Sequence, residues 1–250
     1  MAAEQTTASA GYHTVVLTGG GVGSRMGADR PKQFLELAGK PILVHTAERW
    51  LNFLTAEVCP HAVMTLPEAW LEEADSLLQR HLPPEKMSRL HLMAGGATRT
   101  DSVAAALEWL ATSDRGRSTK AVWVAVHDLV RPLFTLPMLR HAFQVAEEKG
   151  SAVCITPVTA SLRRRDAQGD SQPVDRTGMV QVQTPQIFRL EGLLEAYRKR
   201  DPAGTYTDDA SLMQEQGWPI HLVEGSAYNL KITTPEDLAL AELIYQALGE

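Results

Sequence analysis

"LTGGGVGSRMGADRPKQF", residues 17–34, places five glycines, two arginines and a lysine in eighteen positions directly behind the apolar run HTVVL. A strand that runs into a glycine cluster is the usual opening of a nucleotide site. Bare backbone approaches phosphate closely, and its exposed amides act as anion donors. Three versions of such a loop compete. A GxxxxGK[ST] loop fails, because Gly27 is followed by Ala28. A dinucleotide fingerprint is nearer, since Gly21, Gly23 and Gly27 spell GxGxxxG. The second strand would then have to end in an acid for the ribose, and VMTLPEAW offers only Glu68 beyond a proline. The third version is a triphosphate attacked at its α-phosphate. Charge then builds on that phosphate and on the departing pyrophosphate, where fixed guanidinium and ammonium groups stabilise it. Arg25 and Lys32, set beside so much open backbone, match that demand better than two solvated surface charges do.

The rest of the composition narrows the field. The chain has 250 residues, 44% hydrophobic and 22% charged, which is ordinary for a soluble globular protein. A net charge of −6 and a pI near 5.8 argue against a general nucleic-acid binder. A basic patch inside an acidic whole suits a small anionic ligand. Cys59 and Cys154 both stand in apolar surroundings and read as buried reduced thiols, and no CxxC or His/Cys cluster suggests zinc. No apolar run approaches the length of a membrane span, and MAAEQTTASA lacks the basic start and apolar core of a signal peptide. Residues 1–12 are therefore expected to be a disordered tail, residues 13–250 one domain, and the compartment the cytoplasm.

Along that domain, β-branched runs alternate with stretches of helical period. Strands are expected at His13–Leu17, Val58–Leu66, Leu90–Met93, Ala121–Val126, Ala152–Pro157 and Ile220–Val223. Helices are expected at Pro41–Leu54, Pro67–Leu82 (stopped by Pro83-Pro84), Thr98–Ala111, Leu136–Lys149, Leu190–Arg200, Asp208–Gln216 and Pro235–Leu248. AVWVAV is apolar on both faces, as a strand covered by helices on either side must be. The rhythm breaks over residues 158–182, a polar stretch with a turn-rich centre between two segments able to pair as a hairpin. Its length points to function. The expected fold is α/β with a protruding β-arm.

The loop sequence GGGVGSRMGADRPKQF resembles the signature loop of the 2-C-methyl-D-erythritol 4-phosphate cytidylyltransferases, within the nucleotide-diphosphosugar transferase superfamily. The resemblance continues through GGATRTDSV (95–103), VHDLVRP (126–132), VDRTG (174–178), QTPQIF (183–188), YTDDASL (206–212) and LVEGSAYNLKITTPEDLALAE (222–242), in the family's order and across nearly the whole chain. It implies a Rossmann-like three-layer sandwich around a mostly parallel mixed sheet. It also implies transfer of a cytidylyl group from CTP to a sugar-alcohol phosphate, the acceptor phosphate attacking the α-phosphorus in line. Arg25, Lys32 and Lys231 are then the catalytic cations. Gly19, Gly20, Gly21 and Gly23 supply nucleotide-binding backbone, and Gly95, Gly96 and Ser102 read the base, although Ser102 equally suits a helix cap.

Asp128 stands at the C-terminal end of the central apolar strand, where ligands bind in open α/β sheets. The resemblance makes it the ligand of Mg²⁺ or another divalent cation, with Asn229 near the metal, whereas His127 reads as structural. Arg131 is implied as a holder of the substrate phosphate, with pairing to Asp128 as the plain alternative. Thr207, Thr184, Arg176 and Ser161 are implied on the acceptor side. Thr207-Asp208-Asp209 also reads as a helix N-terminus with early acids. In the family the arm exchanges between subunits, which implies a homodimer. Departures fall on the acceptor side: Thr159-Ala160-Ser161 lacks the family's usual acid, Tyr228 stands where an acid is common, and Leu129-Val130 replace a small pair. A different acceptor such as ribitol 5-phosphate therefore stays open. So do an NAD(P)-linked oxidoreductase built on GxGxxxG and a non-catalytic nucleotide-binding relative, both less well supported.

Overall fold

The alternation in HTVVL sends Val15 and Leu17 to one side of a strand and Val16 to the other, and each meets a separate apolar cluster. The computed structural model describes residues 11–20, 30–54, 61–113 and 121–248; Gly21, Gly23, Arg25 and Cys59 lie outside them. The chain runs β1 (Tyr12–Thr18), two-residue strands β2 (Glu36–Leu37) and β3 (Lys40–Pro41), α1 (Ile42–Phe53), β4 (Ala62–Leu66), α2 (Leu71–His81), a single turn α3 (Pro84–Met87), β5 (Leu90–Ala94) and α4 (Arg99–Thr112). It continues with β6 (Val122–Asp128), α5 (Leu136–Lys149), β7 (Ser151–Pro157), β8 (Leu162–Arg165), β9 (Ser171–Val174), β10 (Val180–Arg189), α6 (Leu190–Lys199), α7 (Asp209–Glu215), β11 (Leu222–Glu224) and α8 (Pro235–Ala247).

Seven strands form one sheet in the order β11-β7-β10-β6-β1-β4-β5. β1 runs parallel to β4 and β6, β4 to β5, and β11 to β7. β10 alone is antiparallel, to β6 on one side and β7 on the other. One face packs on α1, α2 and α5 through Trp50, Leu78 and Phe143. The other packs on α4, α6 and α7 through Leu107, Leu193 and Met213. The expected mostly parallel, three-layer α/β architecture is therefore present. A third, small cluster sits apart: Leu37, Ile42, Val130, Leu133, Ile232 and Ala241 are buried together. It ties three segments into one joint, those that follow Lys32, Asp128 and Lys231.

Several boundaries moved for physical reasons. Pro83-Pro84 does stop α2, but Pro84 then opens the turn α3, since proline fits the first position of a helix. β6 extends past Val126 to Asp128 because His127 and Asp128 stay in register with Leu17 and Thr18. β1 begins at Tyr12, within the stretch read as tail. The largest omission is β10. Pro185 lacks an N–H and argues against a strand; the strand absorbs it at a register shift between Val182 and Gln186. β8 and β9 pair as the expected hairpin, Leu162 opposite Val174 and Arg165 opposite Ser171, and form a two-stranded sheet of their own among the described residues. Cys154 is buried in β7, where burial pushes its thiol up to about 12, as befits an unreactive thiol.

Candidate active site

Two turns of bare backbone meet at one hydroxyl. Gly19 leaves β1 so tightly that an added Cβ would lie 2.7 Å from Leu66 Cδ2 and 2.8 Å from Leu129 Cδ2. Gln33 holds it there, its side-chain amide donating to the Gly19 carbonyl at 2.5 Å. Gly95 leaves β5 equally tightly, since its Cβ would lie 2.7 Å from Ser102 Oγ, and a Cβ on Gly20 would lie 3.8 Å from the same oxygen. The Ser102 hydroxyl accepts from the Gly96 N–H at 3.0 Å and donates to the Thr98 carbonyl at 2.9 Å. The cap of α4 is Thr98, whose side chain accepts from the Asp101 N–H; Ser102 lies one turn inside the helix. The helix-cap alternative for Ser102 is thus excluded, and its place is between the two glycine turns.

At the end of β6 a single carboxylate gathers three cations. Lys231 Nζ lies 3.0 Å from Asp128 Oδ2, Arg131 Nε donates to the same oxygen at 3.0 Å, and Arg99 Nε lies 3.9 Å from Oδ1. Burial opposes ionisation of Asp128, but Lys231, Arg131 and Arg99 outweigh it and hold the carboxyl well below its usual range. Arg131 is fixed from a second side by donating to the Asn229 carbonyl at 2.9 Å. Arg131 thus pairs with Asp128, as the plain alternative has it.

The strand neighbour Thr184 continues the network. The Asp128 N–H donates to Thr184 Oγ1 at 3.0 Å, Thr184 Oγ1 lies 3.2 Å from His127 Nδ1, and His127 Nε2 lies 3.0 Å from the Arg131 carbonyl. A backbone N–H only donates and a carbonyl only accepts, so the protons run one way. Thr184 donates to Nδ1, and His127 is the neutral tautomer with its proton on Nε2. Burial lowers its pKa to about 4, in keeping with that form. His127 is structural, as its sequence context suggests, and it aims the residues on either side of it.

Two cavities meet at this carboxylate. One, of about 230 Å³, is lined by Gly19, Gly20, Lys32 and Gln33; the other, of about 340 Å³, by Arg131, Thr184, Thr207 and Asp208. Arg99, Asp128 and Lys231 line both. The first lies at the glycine turns and the second at the mouth of the arm strand β10. The union carries Lys32, Arg99, Arg131 and Lys231 against Asp128 and Asp208, a local positive excess in a chain of charge −6. Such an arrangement attracts and holds phosphate groups.

Arg99 was missed by the sequence reading. It is half-buried and makes a two-pronged contact with Asp209, at 3.2 and 2.7 Å. Asp209 is fully buried and also accepts from the Tyr197 hydroxyl at 2.5 Å. Asp208 caps α7 by accepting from the Ser211 N–H at 2.9 Å, so the helix N-terminus expected at 207–209 is present. Arg99 thus fastens the start of α4 to the start of α7. Nothing in TRTDS distinguishes this arginine from a surface one until the fold brings up Asp209. Ser161 and Arg176 are exposed on the arm, Arg176 donating to the Thr159 carbonyl, and line neither cavity of their own chain.

The donor set can be tested against a divalent cation. Among the described residues no group of three or more His, Cys, Asp or Glu side chains converges, so a cage made of protein alone is not available. Asp128 Oδ2 is held by Arg131 and Lys231, while Oδ1 has only the more distant Arg99. One carboxylate oxygen beside a cation-lined cavity suits Mg²⁺, which is commonly held by one or two carboxylates with substrate phosphates.

The family model for 2-C-methyl-D-erythritol 4-phosphate cytidylyltransferase matches residues 13–247. Relatives of that name include one from Porphyromonas gingivalis, 41% identical over 92% of this chain and 96% of its own, and one from Bacillus cytotoxicus, 36% identical over the same shares. The crystal structure of the Thermus thermophilus protein of that name superposes with a TM-score of 0.72 at 29% identity, covering 94% of this chain and 99% of that one. The class so defined is a nucleotidyltransferase. More narrowly, the chain belongs to the 2-C-methyl-D-erythritol 4-phosphate cytidylyltransferase family.

Proposed function

We propose that this chain transfers a cytidylyl group from CTP to 2-C-methyl-D-erythritol 4-phosphate, giving 4-diphosphocytidyl-2-C-methyl-D-erythritol and pyrophosphate, a step in isoprenoid precursor synthesis. The observation that carries the reading is the meeting of two cation-lined cavities at Asp128. CTP occupies the cavity at the glycine turns, with Gly95, Gly96 and Ser102 toward its base and Lys32 toward its phosphates. The acceptor phosphate occupies the neighbouring cavity between Arg131, Thr207 and Lys231. An acceptor oxygen attacks the α-phosphorus as the bond to the β-phosphate oxygen breaks. No general base is required, because a phosphate oxygen is already a nucleophile at neutral pH. The side chains act by positioning and by offsetting charge on the α-phosphate and leaving pyrophosphate. Mg²⁺, held by Asp128 and the triphosphate, would offset further charge there.

We further infer a homodimer in which Arg176 and Ser161 reach the partner's acceptor cavity, and a cytoplasmic enzyme. The supports are their position on an exposed arm, outside their own chain's cavities, and the family pattern. No helix among the described residues is long and apolar enough to cross a membrane. The deciding experiment incubates the protein with CTP, Mg²⁺ and either 2-C-methyl-D-erythritol 4-phosphate or ribitol 5-phosphate and follows pyrophosphate. Release with the first alone is expected. Preference for ribitol 5-phosphate would support the reading suggested by Ala160 and Tyr228, and release with neither would overturn both.

A further inference from the structure

The two glutamines of QTPQ, Gln183 and Gln186, are buried on either side of Thr184-Pro185. Residues 183–185 lie outside the ladder register with β6 and β7, because β10 shifts between Val182 and Gln186. Side chains join the segments there. Gln186 faces the segment that carries Thr207. Its amide donates to Asp208 Oδ2 at 3.0 Å, and its carbonyl accepts from the Ala210 N–H at 2.8 Å. Asp208 in turn caps α7 through the Ser211 N–H. One side chain thus fixes the cap and first turn of α7, and with them Thr207, which precedes the cap.

Gln183 faces the segment that carries Lys231. Its amide donates to the Ser226 carbonyl at 2.9 Å, and its carbonyl accepts from the Ser226 N–H and from Asn229 Nδ2, both at 3.2 Å. Asn229 answers by donating to the Thr184 carbonyl at 2.7 Å, while its own carbonyl receives Arg131. Gly225 permits this approach, since a Cβ there would lie 2.4 Å from Gln183 Oε1. Apolar side chains of similar size would fill both places. Only an amide, donor and acceptor in one group, aims the two segments as well. Thr207 lines the acceptor-side cavity alone, whereas Lys231 lines both cavities. We infer that Gln183 and Gln186 are positioning residues with separate duties. Gln186 sets the turn that binds the acceptor, and Gln183 sets Lys231 for the transfer step. The inference rests on the proposed cytidylyl transfer.

Steady-state kinetics of the whole protein with CTP, Mg²⁺ and 2-C-methyl-D-erythritol 4-phosphate test this, with CTP affinity followed by calorimetric titration. Gln186→Met is expected to raise the acceptor KM by about tenfold or more, with kcat within about threefold. Gln183→Met is expected to lower kcat by about tenfold or more, with the acceptor KM within about threefold. CTP affinity is expected to stay within about threefold in both variants. Gln186→Glu combined with Asp208→Asn exchanges donor and acceptor across one hydrogen bond and keeps the charge of the cavity. The pair is expected to recover most of the acceptor KM lost in Gln186→Glu alone. Gln183→Glu still accepts from the Ser226 N–H and loses the amide donation. It is expected to show the same fall in kcat, and it carries the test if Gln183→Met does not fold. Parallel changes of kcat and KM in both methionine variants, or loss of CTP binding, would overturn the assignment and make both glutamines structural. So would a double variant no better than Gln186→Glu. No turnover by the wild type would overturn the proposed transfer and this inference with it. Wild-type turnover without the division between variants would overturn this inference alone.

Discussion

Asp128 shows how a single side chain acquires a role from its neighbours. Alone in a buried strand end it would take up a proton; ringed by Lys231, Arg131 and Arg99 it stays ionised. The cations differ in what they do for the fold. Arg99 partners the fully buried Asp209, so Arg99→Ala leaves that carboxylate unpaired and is expected to destabilise by about 3 kcal/mol in urea unfolding. Lys231 is exposed, and Lys231→Ala is expected to change stability by less than about 1 kcal/mol while turnover collapses. Lys32 lies in the nucleotide-side cavity. Lys32→Ala is expected to lower kcat by roughly 10²-fold, with a smaller change in CTP affinity measured by titration. At this scale the sequence was readable where chemistry is local. Lys32, Asp128, Arg131 and Lys231 line the two joined cavities, whereas Arg99 acquires its meaning from a partner 110 positions away.

Elements differ in how openly they announce themselves. Central strands and amphipathic helices follow from apolar period, because burial on one or two faces leaves an alternating record. β10 leaves no such record: half of it, QTPQIF, carries a proline and polar side chains that serve the site. Gln183 and Gln186 are buried yet occupied, Gln186 donating to Asp208 at 3.0 Å and accepting from the Ala210 N–H at 2.8 Å. The hairpin β8–β9 follows from turn chemistry alone, and the proposed arm exchange would give it a purpose. Mixing protein that carries Lys32→Ala with protein that carries Arg176→Ala is expected to restore turnover, since each mixed dimer has one site with both residues intact. No recovery above the two parents would exclude arm exchange.

One buried ring, His127, gives the whole molecule a pH dependence. The folded state holds His127 neutral with a pKa of about 4, against 6.5 for the free side chain, so the unfolded chain binds more protons between those values. Stability is therefore expected to be flat above about pH 6.5 and to fall as pH drops toward 4, by roughly 3 kcal/mol if this ring acts alone. Asp128 works in a separate window. Its pKa is depressed in the fold, so its contribution is present above the ordinary carboxylate range and is lost only as pH falls well below 4. Urea midpoints at pH 7.5 and pH 5 for wild type and His127→Gln check this, and the variant should show the flatter curve. The three-layer plan was open to reading from the chain because each layer repeats one pattern. The small core of Leu37, Val130 and Ile232 was not, since its members lie far apart in sequence and belong to no repeating face.

β10 leaves the arm and, across the register shift between Val182 and Gln186, becomes an interior strand between β6 and β7. Thr184 and Gln183 ride on it, and through them so do the Asp128 amide and the Asn229 side chain. In the proposed dimer, a displacement of the hairpin would reach the backbone beside Asp128 through Gln183 and Thr184. If the arms are exchanged as proposed, each subunit would sense its companion at the Asp128 amide, which donates to Thr184.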